Sequence, residues 1–233
     1  MATVSRKVFA CVVARSAAVA GSFTVGGVAY NRRSASLTVQ NPLAPGGLTY
    51  SVTTADVAGN TQTTSGLGVT VDNTAPAATD VQTANVGSLV ATAQLSDTIT
   101  FTTGEPLDPE SILAGWTGAS ANVVVRINNV GGSDTLQVFN STNTTQLNLG
   151  TVTLGSTAYV TANRTFGLTG TPSTMVRSGN TITVTLGTAS GAVTTAPANG
   201  TMSWAPSTAA YDRAGNAMSA TAATETGAAD REF

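Results

Sequence analysis

Leu48-Thr-Tyr-Ser-Val-Thr-Thr-Ala-Asp56-Val-Ala-Gly-Asn60 is an alternating run that ends on a tight-turn signature, and the signature returns as Asp212-Arg-Ala-Gly-Asn216. Period-two alternation marks a half-buried strand, because successive side chains leave a strand on opposite faces. In the turn, Asp and Asn hydrogen-bond their own backbone, and Gly and Asn accept the positive φ that a sharp reversal needs. A strand-and-turn unit that occurs twice reads as two modules built on one plan.

Composition supports a β reading. The 233 residues include 42 threonines, and charged residues make up only 9% against a usual quarter or so. Threonine and valine suit a pleated, half-buried surface and are poor helix formers. A net charge of −2 and a single lysine, Lys7, argue against nucleic acid, whose phosphates demand a basic stripe. No apolar run approaches the roughly 18 residues a membrane helix requires. The one cysteine, Cys11, sits in an apolar run and reads as a buried, inert thiol. Val8–Ala14 reads as a first strand rather than a signal-peptide core, because Arg15 cuts the apolar stretch short.

Two modules are expected, 1–74 and 75–233. In the first, strands are predicted at Val8–Ala14, Phe23–Tyr30, Ala35–Gln40, Leu48–Thr54 and Leu67–Asp72. Five strands are few for a sandwich, so this module reads as truncated or completed by a borrowed strand. Asp72-Asn-Thr-Ala-Pro76 then stops the alternation. In the second module, strands are predicted at Thr98–Thr103, Asn122–Ile127, Thr135–Phe139, Gly150–Leu154, Thr157–Ala162, Thr181–Leu186 and Thr201–Trp204. One short helix is expected after Asp108, which would cap it with Pro109 in the first turn. The tail after Met218 is expected to hold one strand and then fray.

These residues carry a family resemblance. Leu48 to Asn60, followed by Val69-Thr-Val-Asp72-Asn-Thr-Ala-Pro76, resembles the closing half of bacterial immunoglobulin-like repeats found in surface adhesins. Asp97-Thr-Ile-Thr-Phe101 through Glu105-Pro-Leu-Asp108-Pro109, closing at Tyr211-Asp212, resembles a second bacterial immunoglobulin-like type, first associated with S-layer proteins. The resemblance implies an all-β fold of tandem immunoglobulin-like antiparallel β-sandwiches. The second module is long for its type, and Gly115 to Thr174 departs from the pattern as an insertion or an elaborated sheet. The resemblance also implies a calcium site at the module junction, with Asp56, Asp72 and Asn73 as ligands, aided by Asp80 or Asp108. Calcium takes six to eight oxygens, which carboxylates, asparagine side chains and carbonyls supply. Asp212 and Asn216 are read as turn-only, with no following module to share a cation.

Enzyme chemistry finds little support. With no histidine, Ser-His-Asp and Cys-His arrangements and histidine-ligated metals are excluded, and one cysteine excludes thiolate clusters. Glu105, Asp108 and Glu110 are the nearest approach to a glycosidase carboxylate pair, but they sit in a proline-bounded turn. Trp116, Trp204, Phe101, Tyr159 and Phe166 are read as core rather than as a sugar platform. The expectation is a non-catalytic structural or adhesive module of a bacterial cell-surface or secreted protein. Its partners would be protein subunits or a surface glycan. The alternative is a bacteriophage virion or decoration protein that assembles into oligomers by strand exchange at its edges.

Overall fold

The computed structural model describes residues 17–25, 28–33, 44–55 and 60–233. The chain divides into two compact units, Met1–Leu43 and Ala44–Phe233. The expected strands Val8–Ala14 and Ala35–Gln40, together with Cys11 and Asp56, lie outside the described residues.

In the first unit, β1 (Ala17–Val25) pairs antiparallel with β2 (Val28–Arg33), Val25 standing opposite Val28. The stretch expected as one strand over Phe23–Tyr30 is thus parts of two. Gly26-Gly27 is a two-residue hairpin signal, and it outweighs the β-propensity of its flanks.

The second unit begins with a long hairpin of β3 (Gly46–Ala55) and β4 (Thr61–Val71), which form a two-stranded sheet of their own. β4 starts six residues before the expected Leu67, because Thr61–Thr64 continue the ladder opposite Val52–Ala55. The side chains of β4 are exposed almost throughout.

All the other strands join in one antiparallel sheet. They are β5 (Ala78–Ala84), β6 (Thr98–Thr103), β7 (Ala121–Asn128), β8 (Thr135–Asn140), β9 (Thr151–Thr153), β10 (Arg164–Phe166), β11 (Ser173–Ser178), β12 (Thr181–Thr185), β13 (Ser203–Ala205) and β14 (Ala223–Thr224). Their spatial order is β14-β13-β9-β8-β7-β11-β12-β6-β5, with β10 on β7 beside β11. The sheet curls until its two ends meet. The Thr226 amide donates to Asp80 Oδ1 at 2.9 Å, and Gln82 Nε2 donates to the Thr226 carbonyl at 2.9 Å. The described chain is therefore all-β and antiparallel, with a nearly closed, barrel-like sheet. Closure of this kind protects the edges that an open sheet exposes.

Alternation places the core. In β6, Ile99, Phe101 and Thr103 point inward, and in β12 Ile182 and Val184 do the same. Phe101 lies opposite Ile182 and meets Trp204 edge to face, ring centroids 5.0 Å apart. Trp204 is fully buried, and its indole N–H is satisfied by the Leu149 carbonyl at 2.6 Å. Trp116, Tyr159 and Phe166 are buried as well, so all five aromatics read as core belong to it. Gly150 (φ 86°) lets the β9 strand approach β13 so closely that an added Cβ would stand 2.1 Å from the Ala205 carbonyl oxygen.

Two expectations need correction, and one alternative is resolved. Of the two readings of Gly115–Thr174, an insertion or an elaborated sheet, the second holds: the stretch supplies β7, β8, β9 and β10, in the middle of the sheet. Thr157–Ala162 is loop rather than strand, because Ala158 takes φ 65° and Tyr159 and Val160 turn into the core. The Val160 amide there is held by Asp134 Oδ2 at 3.2 Å. Nor is the tail frayed. After β14 it continues to Glu232 and Phe233, which are 1% and 3% exposed, with Phe233 stacked edge-on against Tyr159.

Candidate functional site

The second copy of the turn signature builds the site. Asp212 Oδ1 accepts from the Asn216 backbone N–H at 2.9 Å, and Oδ2 accepts from the Asn216 side-chain amide at 2.8 Å. The turn also closes through its backbone, Gly215 N–H to the Asp212 carbonyl at 3.2 Å, with Gly215 at φ 92°. An isolated bridge between Asp212 and Leu107 ties it to the segment after β6.

The turn does more than satisfy itself. Asn216 Nδ2 also donates to the Asp72 carbonyl at 3.1 Å, which holds the foot of the β3–β4 hairpin against it. Asp72 Oδ1 in turn accepts from the Thr74 N–H at 2.9 Å, an Asx turn that ends β4. Glu105 completes the group from the turn after β6. One carboxylate oxygen from each of Asp72, Glu105 and Asp212 lies within 4.8 Å of the others.

Electrostatics separate the three. Burial opposes ionisation of Asp212, but the donors from Asn216 and from the Gly215 and Ala214 amides outweigh it and hold this carboxyl below its usual range. Glu105 is pushed the other way, first by burial and then by the negative charges of Asp72 and Asp212. Its Oε1 is buried without a hydrogen-bond partner. Three hard oxygen donors with mutual repulsion and one unpartnered oxygen are suited to a hard divalent cation. Like charges this close are otherwise destabilising.

Of the residues expected to hold calcium, only Asp72 is in this group. Asp56 lies outside the described residues, and Asn73 is exposed beside Asp72. Asp80 bridges the ends of the sheet. Asp108 caps α1 (Pro109–Ile112), accepting from the Glu110 N–H at 3.2 Å. The carboxylates Glu105, Asp108 and Glu110 therefore have three separate settings, Glu110 being exposed on the helix. Sequence reasoning set Asp212 aside for want of a partner module. The fold instead brings Asp72 to it within one unit. In the sequence Glu105 reads only as one of the three carboxylates near Asp108; the signal for its place here is its position after the first strand of a motif that closes at Asp212.

One cleft of about 270 Å³ is lined by Leu113–Thr117 and Ala119–Ala121, with no titratable side chain among them. No helix among the described residues is long and apolar enough to cross a membrane. No family model, no curated protein and no solved structure matches this chain.

Proposed function

We propose that this chain is a non-catalytic structural or adhesive module of a bacterial cell-surface or secreted protein, stiffened by calcium. The observation that carries this reading is the group of Asp72, Glu105 and Asp212, where the foot of the exposed β3–β4 hairpin meets the second Asp-x-Ala-Gly-Asn turn. A cation there would convert three repelling carboxylates into a brace and hold the hairpin at a set angle to its own unit. The resemblance to bacterial immunoglobulin-like repeats and the antiparallel all-β architecture support it. Such modules bind through loops and edges, which fits protein or glycan partners.

Light scattering and thermal melting of the purified chain, in calcium and then in EDTA, test the proposal. A monomer whose melting point falls and whose hydrodynamic radius grows in EDTA supports it. Behaviour identical in both buffers removes the calcium part.

The hairpin also favours a second reading, assembly by strand exchange in a virion. A two-stranded ribbon is marginal in water by itself. β3 and β4 pair with each other and leave each strand's second edge outside the main sheet. A defined oligomer that persists in EDTA and dissociates when β4 carries a proline would put this reading first.

A further inference from the structure

A second set of carboxylates lies in the C-terminal segment, and none of its residues belongs to the group around Asp72. Carboxylate oxygens of Glu225, Asp230 and Glu232 all lie within 4.8 Å of one another. Proximity alone would not make a site, since acidic side chains often cluster without a ligand. What distinguishes this set is Glu232. It is 1% exposed; Oε2 accepts from the Thr83 hydroxyl at 2.5 Å, while Oε1 is buried with no hydrogen-bond partner. The Glu225 carboxyl is its immediate neighbour. A buried carboxylate oxygen left unpaired is costly, and each such group calls for a counter-charge or a proton. Arg231, the neighbour in sequence, directs Nη1 to the Ala196 carbonyl instead.

Hydrogen bonds fix the backbone that carries the three carboxylates. The Glu232 N–H donates to the Tyr159 hydroxyl at 2.6 Å, and the Gly200 N–H donates to the Asp230 carbonyl at 2.7 Å. Glu225 is fixed twice, its N–H to the Met202 carbonyl at 3.0 Å and its Oε1 by the Met202 N–H at 2.8 Å. Asp230 is exposed and gives the set an opening to solvent. The donors are oxygens without nitrogen or sulfur, which selects a hard cation, and Ca–O distances of about 2.3–2.6 Å let one ion span such a set.

We propose that Glu225, Asp230 and Glu232 form a calcium site that pins the C-terminal segment against β5 and the loop carrying Tyr159. Water entering past Asp230 completes the coordination shell. Because β14 and Thr226 meet β5 at the closure of the sheet, the ion acts as a clasp on the barrel.

The test is a calcium chloride titration of the full chain followed by amide NMR, with Asp72→Asn introduced to weaken the other group. The expected result is saturable shifts of the Met202, Glu225 and Glu232 amides at calcium of about 0.1–1 mM, the range of weak calcium modules. Those shifts are lost in Glu232→Gln and in Asp230→Asn. The second variant changes an exposed side chain and leaves the fold intact. Absence of shifts at these amides over that range would mean that the pair Glu225–Glu232 holds only a proton, and would overturn the proposal. Shifts that survive both substitutions would overturn it equally.

Discussion

Asp97→Ala is the sharpest test of how this fold holds its loops. Asp97 is fully buried at the start of β6, and its carboxylate collects three backbone amides. Oδ1 accepts from Val86 at 2.8 Å and Gly87 at 3.0 Å, and Oδ2 accepts from Gln94 at 2.7 Å. Hydrogen bonds to a charged group contribute about 1.5–3 kcal/mol each, so the three set a ceiling of roughly 4.5–9 kcal/mol. Two effects lower it. Val86 and Gly87 are exposed, so their amides reach water once released, and removal of a buried charge recovers its desolvation cost. The expected loss is about 2–4 kcal/mol, against a total stability of about 5–15 kcal/mol. Asp97→Asn keeps one carbonyl oxygen for Val86 and Gly87 but turns an NH₂ toward the Gln94 N–H, so about half of that loss is expected. Urea unfolding of both variants gives the free energies. Hydrogen exchange at residues 86, 87 and 94 shows whether the loop opens first. A loss below about 1 kcal/mol for Asp97→Ala, or equal losses for the two variants, would refute the reasoning.

Three further outcomes are expected. Gly150→Ala combines a positive φ with a Cβ placed 2.1 Å from the Ala205 carbonyl oxygen; it should cost about 2 kcal/mol or more by thermal melting and loosen the β9–β13 pairing. Asn216→Ala deletes the side-chain bonds to Asp212 and to the Asp72 carbonyl. It should cost about 1–3 kcal/mol and speed proteolysis at the foot of the β3–β4 hairpin. Raising the pH of the chelated protein should destabilise it through Glu232. Burial first, then the Glu225 and Asp230 charges, push this carboxyl up to about 8 from an ordinary 4.5, although the Thr83 hydrogen bond pulls the other way. A raised folded-state value means that the folded chain holds the proton longer than the unfolded chain. The stabilisation is therefore full below the unfolded value and is lost as pH rises through the folded one. Melting in EDTA at successive pH values should show this fall, and Glu232→Gln should flatten it.

Much of the strand content is determined locally. Thr98–Thr103 is β6 to the residue, and the predicted strands at 122–127, 135–139 and 181–186 lie within about two residues of β7, β8 and β12. Alternation encodes these because one face of each strand is buried, and the pleat converts sequence parity into a side. The helix after Asp108 was legible for a similar reason, since its cap and its proline act within a single turn. Two kinds of feature were not legible. Thr157–Ala162 has strand composition but becomes loop, because the core claims Tyr159 and Val160 and Asp134 takes the backbone of the latter. The surroundings of the carboxylate groups depend on long-range contacts. Asp72 and Asp212 belong to opposite ends of the second unit in sequence, and Thr83 and Glu232 are separated by 149 positions. By itself the sequence determined the β class, through composition and alternation, and the Asp212–Asn216 turn and the capped helix, since these last two each follow from the residues of one short segment. Only the tertiary structure decided that Asp72, Glu105 and Asp212 meet and that Glu232 is buried against Thr83, because groups distant in sequence become neighbours only when the chain folds back on itself.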